Sequence, residues 1–369
     1  PMNQEPKLIG VSAAARMLGV SNSTVYRMVE SGILTPTKTP GGQRRFNTRQ
    51  LEEYLANSRD IPAPQNPSRA QTEDSAGEPV ADETPKVDSR NKLNDLTGAE
   101  WMPLTKSFIY QKGLGSKHPH AQIERQHPAP FSFQDISQLI SFFTKKGMIV
   151  LDPFGGVGST AKAAAVTGRK AISIELQQKW HDLAIQRLEV EVGKGAGSEH
   201  EFINRDSREA LWDLDSESVD FVVTSPPYWS ILNKKADYKV KKERLANDLD
   251  TNYSDSDPRD LANVTDYAEF LDILVSDFIL PSARALRTGK YLCIIVSDFR
   301  HKTEFVSFHS DLIQKLNGVA VPQGGKITLQ GVKVLLQNHK SLLPYGYPFA
   351  YVENIHHQYI LIFRKVIKK

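Results

Sequence analysis

The spacing of apolar and polar positions changes character twice along the chain. In the first fifty-odd residues apolar side chains recur at helical spacing in short pieces. VSAAARML predicts an amphipathic helix that begins at Ser12 and ends at Gly19. Ser21 can cap a second helix, which Gly32 ends. The pattern then vanishes: no aromatic residue occurs between Tyr54 and Trp101, and PAPQNPSRAQTEDSAGEPVADETPKVDSRNK is dominated by Pro, Ser, Asp, Glu and Gln. Such a stretch cannot bury enough apolar surface to order itself, so residues 58–97 are expected to form a flexible acidic linker.

From Trp101 onward short apolar runs alternate with helical stretches. MIVLDPF (148–154), KAISIEL (170–176), HEFINRD (200–206), VDFVVTSPPY (219–228) and KYLCIIVSDF (290–299) predict buried strands. Residues 159–168, 177–192 and 266–286 predict helices between them, and VKVLLQ with HQYILIFRKV predicts a last strand pair. Alternation of this kind points to an α/β fold with a doubly wound, mostly parallel sheet. The expected division is 1–57, 58–97 and 98–369, without internal repeats.

Composition adds limits. The 369 residues are 40% hydrophobic and 24% charged, as in globular proteins, and no apolar run approaches the length that crosses a bilayer. The opening PMNQEPKLIG lacks the basic and apolar regions of a secretory signal, so a cytoplasmic location is expected. A net charge of +3 is too small to establish nucleic-acid binding by itself. The single cysteine, Cys293, excludes an internal disulfide framework and a cysteine-based zinc cage.

Two short helices joined by a tight turn form a helix-turn-helix, whose second helix enters the major groove. Asn22, Ser23, Thr24, Tyr26 and Arg27 would face DNA there, with Val25 and Val29 packed inward. Arg44 and Arg45, after a turn at Pro40-Gly41-Gly42, suit phosphate contacts. The stretch resembles the MerR/excisionase family of winged helix-turn-helix modules, through VSxxxAxxLGVSxxTVYRxxxxGxL (with Ala15 in the alanine position) and GGxRRF. That family carries a long dimerising helix after the module; here the linker stands in its place. The competing reading is a helical protein-interaction domain. Against it, seven basic residues in this segment face four acidic ones.

LDPFGGVGST (151–160) joins a strand to a helix, with Gly155, Gly156 and Gly158 able to turn sharply and approach a ligand. A phosphate-binding P-loop would need lysine where Gly158 stands, and a dinucleotide fingerprint a third glycine where Ala161 stands. Glu175, at the end of the next strand, can accept from both hydroxyls of a ribose, and Asp206, after the third, can reach a base. The plainer alternative is that both acids cap helices. TSPPYW (224–229) ends the fourth strand; its two prolines stop the ladder and place a hydroxyl, rigid carbonyls and aromatics where open α/β sheets bind ligands.

Together DPFGGVGST and TSPPYW resemble motifs I and IV of the DNA amino-methyltransferases, the N4-cytosine and N6-adenine group. HPAPFS (127–132) resembles motif X, and VSDFR (296–300) and HHQYILIFRK (356–365) the later strands. The order X, I, IV marks a permuted member. The resemblance implies a Rossmann-like class I methyltransferase sheet, mostly parallel with an antiparallel last strand, beside the small, mainly α winged domain. It implies S-adenosyl-L-methionine as cofactor, held by Phe131, Asp152, Phe154, Gly156, Gly158, Ser159, Thr160, Glu175 and Asp206. Double-stranded DNA is the implied partner, with a companion restriction endonuclease left open.

The implied chemistry is methylation of an exocyclic amino group on a flipped base. Ser225 and the Pro226 carbonyl would accept the amino protons, Pro227 would stiffen the turn, and Tyr228 would stack on the base, with Trp229 completing the wall. Carbon-5 methylation needs a cysteine nucleophile, whereas Cys293 lies within an apolar strand. Serine at the head of motif IV leans toward N4-cytosine, with N6-adenine the alternative. RNA or protein methylation, or a non-catalytic DNA-binding regulator, are the further alternatives. The charged insertion 230–263 offers Lys234 and Lys235 to a DNA backbone, and 301–330 is a second candidate for sequence reading. His356 and His357, adjacent in a strand, point to opposite faces, so no metal is assigned.

Overall fold

The computed structural model describes residues 8–18, 25–26, 28–29, 34–38, 44–52, 86–111, 118–127, 131–229, 257–338 and 340–367. The chain divides into two compact units, Pro1–Val80 and Ala81–Lys369.

In the first unit β1 (Leu8–Gly10) and β2 (Thr37–Lys38) both pair antiparallel with β3 (Arg44–Asn47), giving a three-stranded sheet in the order β1-β3-β2. The helix Val11–Leu18 spaces Ala14 and Ala15 onto the face that meets Val25, Met28, Leu34, Phe46 and Leu51. Val25 is fully buried and Val29 half-buried, as the inward-facing positions require. Tyr26 is exposed, and the Arg44 guanidinium lies 5.4 Å from the centre of its ring. Ser23, Thr24 and Arg27 lie outside the described residues.

The second unit begins earlier than expected. Residues 91–97 belong to it rather than to a linker, because they find polar partners there that their composition does not announce. Asn94 is fully buried, and its side-chain amide donates to the Phe142 carbonyl at 2.6 Å. Asp95 accepts from the Lys146 N–H at 2.8 Å, and Thr97 with Glu100 forms a capping box that starts the helix Gly98–Leu104.

Eight strands follow in one sheet: β4 (Phe108–Tyr110), β5 (Ile149–Asp152), β6 (Lys170–Glu175), β7 (Glu201–Asn204), β8 (Val219–Thr224), β9 (Leu286–Val296), β12 (Lys326–Leu336) and β13 (His357–Val366). A small hairpin of β10 (Phe299–His301) and β11 (Glu304–Val306) stands apart. The sheet order is β4-β12-β13-β9-β8-β5-β6-β7. Each pairing from β9 to β7 is parallel, and β13 alone runs against its neighbours. The strand order reverses between β5 and β8, so the crevice of the fold opens above their carboxyl ends.

Both faces of the sheet are covered, and consecutive residues feed opposite cores. Val222, Leu292, Ile294, Leu361 and Phe363 join one cluster; Phe221, Val223, Cys293, Ile360 and Ile362 join the other. This period of two explains why β8 reads as an unbroken apolar run. Cys293 is wholly buried, and that burial pushes its thiol up, as expected for packing rather than attack.

The helix expected over 266–286 is present but not uniform. Asp266 caps it through the Glu269 N–H, an α-helix runs to Ile273, and a π-helical segment spans Leu274–Ile279. Pro281, in the α-helix Leu280–Ala285 that follows, has no N–H to give to the preceding turn. Strand β12 is closed on its outer side by borrowed pieces. Val319 accepts from Ile327 N–H at 3.0 Å, Asn317 Oδ1 from Leu329 N–H at 3.0 Å, and Ser107 from Val334 N–H at 2.8 Å.

Candidate cofactor cleft and catalytic turn

A cleft enclosing about 810 Å³, open to solvent, lies above the carboxyl ends of β5, β6 and β8. That is the size range of clefts that take a nucleoside-sized ligand. Its floor is the glycine turn from Pro153 to Val157. Glu175 to Gln177 form one side, Asp206 and Ser207 another, and Ser225 with Pro227 the third. Phe154 and Phe278 stack with their ring centres 4.7 Å apart, so the π-helical segment delivers an aromatic to the wall.

Glu175 ends β6 with both carboxylate oxygens already engaged. Gly156 N–H donates to one at 2.9 Å and Gln177 N–H to the other at 2.8 Å. Burial raises its pKa to about 7, with the Asp260 and Asp152 carboxylates pushing the same way against those two donors. Each oxygen keeps a further lone pair for a ligand hydroxyl. Asp206 caps the helix Ser207–Asp213 through the Arg208 N–H and holds the Arg208 guanidinium by two oxygens, while still lining the cleft.

Three residues expected to touch the cofactor stand behind the cleft instead. Asp152 is fully buried and accepts from Phe154 N–H at 3.0 Å, Thr160 Oγ1 at 2.6 Å and Thr224 Oγ1 at 2.6 Å. It therefore ties the glycine turn, the helix Ser159–Val166 and the end of β8 to one carboxylate. Burial raises its pKa, opposed by these three donors. Gly158 adopts φ +74 and packs on Ala184, where an added Cβ would come within 2.9 Å of the Ala184 Cβ. Phe131, Phe154, Gly156, Ser159, Glu175 and Asp206 do line the cleft.

The turn is braced from beneath by buried charge. Arg187 is wholly buried, donating to the Val157 carbonyl at 3.2 Å, Ser159 Oγ at 3.0 Å and Glu191 at 3.0 Å, and it also pairs with Glu124. Lys162 reaches Glu191 at 2.6 Å and lies 3.7 Å from the centre of the Phe133 ring. Two cations against two carboxylates keep the cluster neutral overall.

In the proline turn Ser225 and Pro227 line the cleft, whereas Pro226 is buried outside it. Tyr228 is half-buried, its hydroxyl accepting from Gln358 Nε2 at 2.8 Å; burial raises its pKa to about 12, so it stays neutral. Trp229 does not complete a pocket wall. It belongs to the core, packed on Tyr267, Phe299 and His301. Lys234 and Lys235 lie outside the described residues.

Several lining residues were not singled out from sequence. His127 and Trp180 meet edge to face at 4.9 Å, and His127 sits beneath Gly156. The end of the expected DNA-contacting insertion is also cofactor wall: Arg259, Asp260 and Leu261 line the cleft, with Asp260 capping the turn Leu261–Asn263. The second candidate for sequence reading, 301–330, is largely a helix, Phe308–Leu316, that buries Phe308, Leu312 and Leu316 against the sheet. Among the described residues no cluster of His, Cys, Asp and Glu suits a metal ion, and no helix is long and apolar enough to cross a membrane.

This strand order, with its glycine turn after β5 and acid at the end of β6, defines a Rossmann-like class I methyltransferase fold. Comparison with known proteins bears out both resemblances. Residues 38–186 match the N6/N4 family model described as DNA methylase, and residues 8–59 match a helix-turn-helix domain. The putative methylase YubD of Escherichia coli (strain K12) is 45% identical over 64 residues, covering 17% of this chain and 28% of that protein. The orphan methyltransferase M.BamHII of Bacillus amyloliquefaciens is 42% identical over 67 residues, covering 18% and 25%. The chain thus spans under a third of the length of these relatives. Among solved structures, a DNA modification methylase of Thermus thermophilus, crystallised with S-adenosyl-L-methionine, is 25% identical over 44% of this chain and 54% of that one, with a TM-score of 0.28.

Proposed function

We propose that the protein is an S-adenosyl-L-methionine-dependent DNA methyltransferase acting on an exocyclic amino group, N4 of cytosine before N6 of adenine. The observation that carries this reading is the Asp152 carboxylate, which joins the glycine turn and the proline turn so that both face one cleft. The cleft suits the cofactor: Glu175 keeps acceptor capacity for a ribose diol, Gly156 leaves room beside it, and Phe154, Leu176, Leu261 and Phe278 offer flat apolar walls for a base. When bound, the cofactor supplies an electrophilic methyl group on a sulfonium.

The protein's part is positioning. An exocyclic amino nitrogen is a weak nucleophile because its lone pair is delocalised into the ring. Ser225 Oγ and the Pro226 carbonyl, accepting its two protons, draw the lone pair out of conjugation. Tyr228 stacks on the extruded base, which must leave the duplex because its amino group is otherwise paired. The Gln358 bond fixes the Tyr228 hydroxyl, and so the ring. The front unit adds affinity for DNA through Arg44 and Arg45.

The test is to incubate the protein with plasmid DNA and labelled cofactor, digest to nucleosides and identify the product by mass spectrometry. N4-methylcytosine is expected. N6-methyladenine alone corrects the base, and label confined to RNA or protein in parallel reactions overturns the reading.

A further inference from the structure

The connection between β12 and β13, residues 337–356, carries a run of large side chains that the fold does not bury. Leu342 is 77% exposed, Tyr347 81%, Phe349 94% and Tyr351 82%, with Tyr345 partly exposed beside them. A folded chain normally hides such residues, and aromatics gathered on one loop mark a contact surface.

The loop is built rather than loose. Asn354 braces its base in both directions, accepting from Leu343 N–H at 2.9 Å and donating to the Leu343 carbonyl at 2.9 Å. Gly346 turns at φ +71, where a Cβ would strike the Ala350 carbonyl at 2.3 Å; Gly346 in turn accepts from Phe349 and Ala350 N–H at 2.7 and 2.8 Å. These bonds hold the tip in a compact Ω-type loop.

Its place in the sheet says what it meets. β12 and β9 both pair antiparallel with β13, so β12 ends at the same carboxyl edge as β8 and the proline turn. Gln358, at the foot of the loop, donates to the Tyr228 hydroxyl, and Gln337, at its other foot, lies 3.3 Å from Gln358. The aromatic tip therefore rises from residues that touch the catalytic turn. Residues 337–356 hold one lysine and one glutamate, so phosphate attraction is not their task.

We infer that this loop is a stacking platform for DNA bases next to the extruded target, with Tyr347, Phe349 and Tyr351 as its surface. The inference rests on the proposed DNA methyltransferase activity. An opened duplex exposes apolar base faces, and flat aromatic rings cover them whatever the base.

The test uses the full chain and the plasmid assay above, comparing wild type with the triple variant Tyr347→Ala, Phe349→Ala, Tyr351→Ala. The KM for DNA is expected to rise about tenfold or more. The KM for the cofactor and the melting temperature stay unchanged. The loss should be equal at low and high salt, because stacking releases no counterions. Tyr347→Trp with Tyr351→Trp should retain binding; Tyr347→Leu with Tyr351→Leu should not. An unchanged KM for DNA overturns the inference, as does retention by the leucine pair. A wild-type dimer that the triple variant breaks, with DNA kinetics unaltered, assigns the surface to a second copy and also overturns it. If the wild type methylates no DNA, the proposed function falls and takes the inference with it; if only the variants behave like wild type, the inference falls alone.

Discussion

Thr224 Oγ1 donates to Asp152 Oδ1 at 2.6 Å across 72 positions of sequence, joining the two turns that the reaction must bring together. Neither partner reaches the cleft, so the bond acts by position. Thr224→Val removes the hydroxyl while keeping the shape and is expected to cost about 1–3 kcal/mol, the penalty for a buried acceptor losing a donor. Denaturant unfolding measures it. A double-mutant cycle with Asp152→Asn should couple by about 0.5–3 kcal/mol; strict additivity would show that the bond does not link the turns.

Cofactor binding should depend on pH through Glu175. With a pKa near 7 the group is mostly protonated at pH 6 and mostly ionised at pH 8. Protonation turns an acceptor into a donor, so the ribose hydroxyls lose a partner as pH falls. If only the ionised form binds, affinity should climb about tenfold between pH 6 and the plateau above pH 8. Calorimetry on wild type and Glu175→Gln separates the causes: the variant should bind weakly and show no such slope.

Ser225→Ala tests the catalytic turn. One hydrogen bond that matters mainly in the transition state is worth roughly a factor of ten in rate. Turnover should fall by about that factor or more, with cofactor affinity held. A fall in cofactor affinity with turnover intact would move Ser225 out of catalysis and into the cofactor wall.

The brace under the glycine turn makes a sharper prediction about stability. Arg187→Met strands Glu124 and Glu191, and Glu191 Oε1 already lacks a partner among the described residues. The expected loss is about 3–5 kcal/mol, part of which Arg187→Met combined with Glu191→Leu should recover. Thermal unfolding of the single and double variants decides it; equal losses in both would mean that shape, not charge, holds the turn.

In the front unit, Arg44→Ala with Arg45→Ala should weaken DNA binding without regard to sequence and lower the salt slope by about two. An unchanged slope would leave the protein-interaction reading of this unit standing.

The strands that build the cleft were legible in sequence because each is apolar along its length. β13 was expected over the ten residues it occupies, and β5, β6 and β8 fall within their apolar runs. The two turns were legible for a different reason: glycines after one strand and prolines after another have few other uses. What sequence did not reveal depends on contacts between distant segments. Asp152 looks like a ligand, since nothing local shows that Thr224 will occupy it. Arg259, Asp260 and Leu261 read as the tail of a charged insertion until the fold lays them against Glu175. Asn94 sits in a stretch with linker composition, and only the Phe142 carbonyl gives it a reason to be ordered. The aromatic loop was visible as residues but not as a surface, because exposure is decided by what fails to pack.

The outer side of β12 carries one more consequence. A sheet margin normally presents a row of free amides and carbonyls on which another chain can add a strand. Here Val319, Asn317 and Ser107 take the amides of Ile327, Leu329 and Val334, and the three-residue β4 covers the end. That margin offers little backbone for a neighbour to zip onto. At high concentration, association through this side would have to proceed by side chains, leaving it a poor seed for fibrous aggregation.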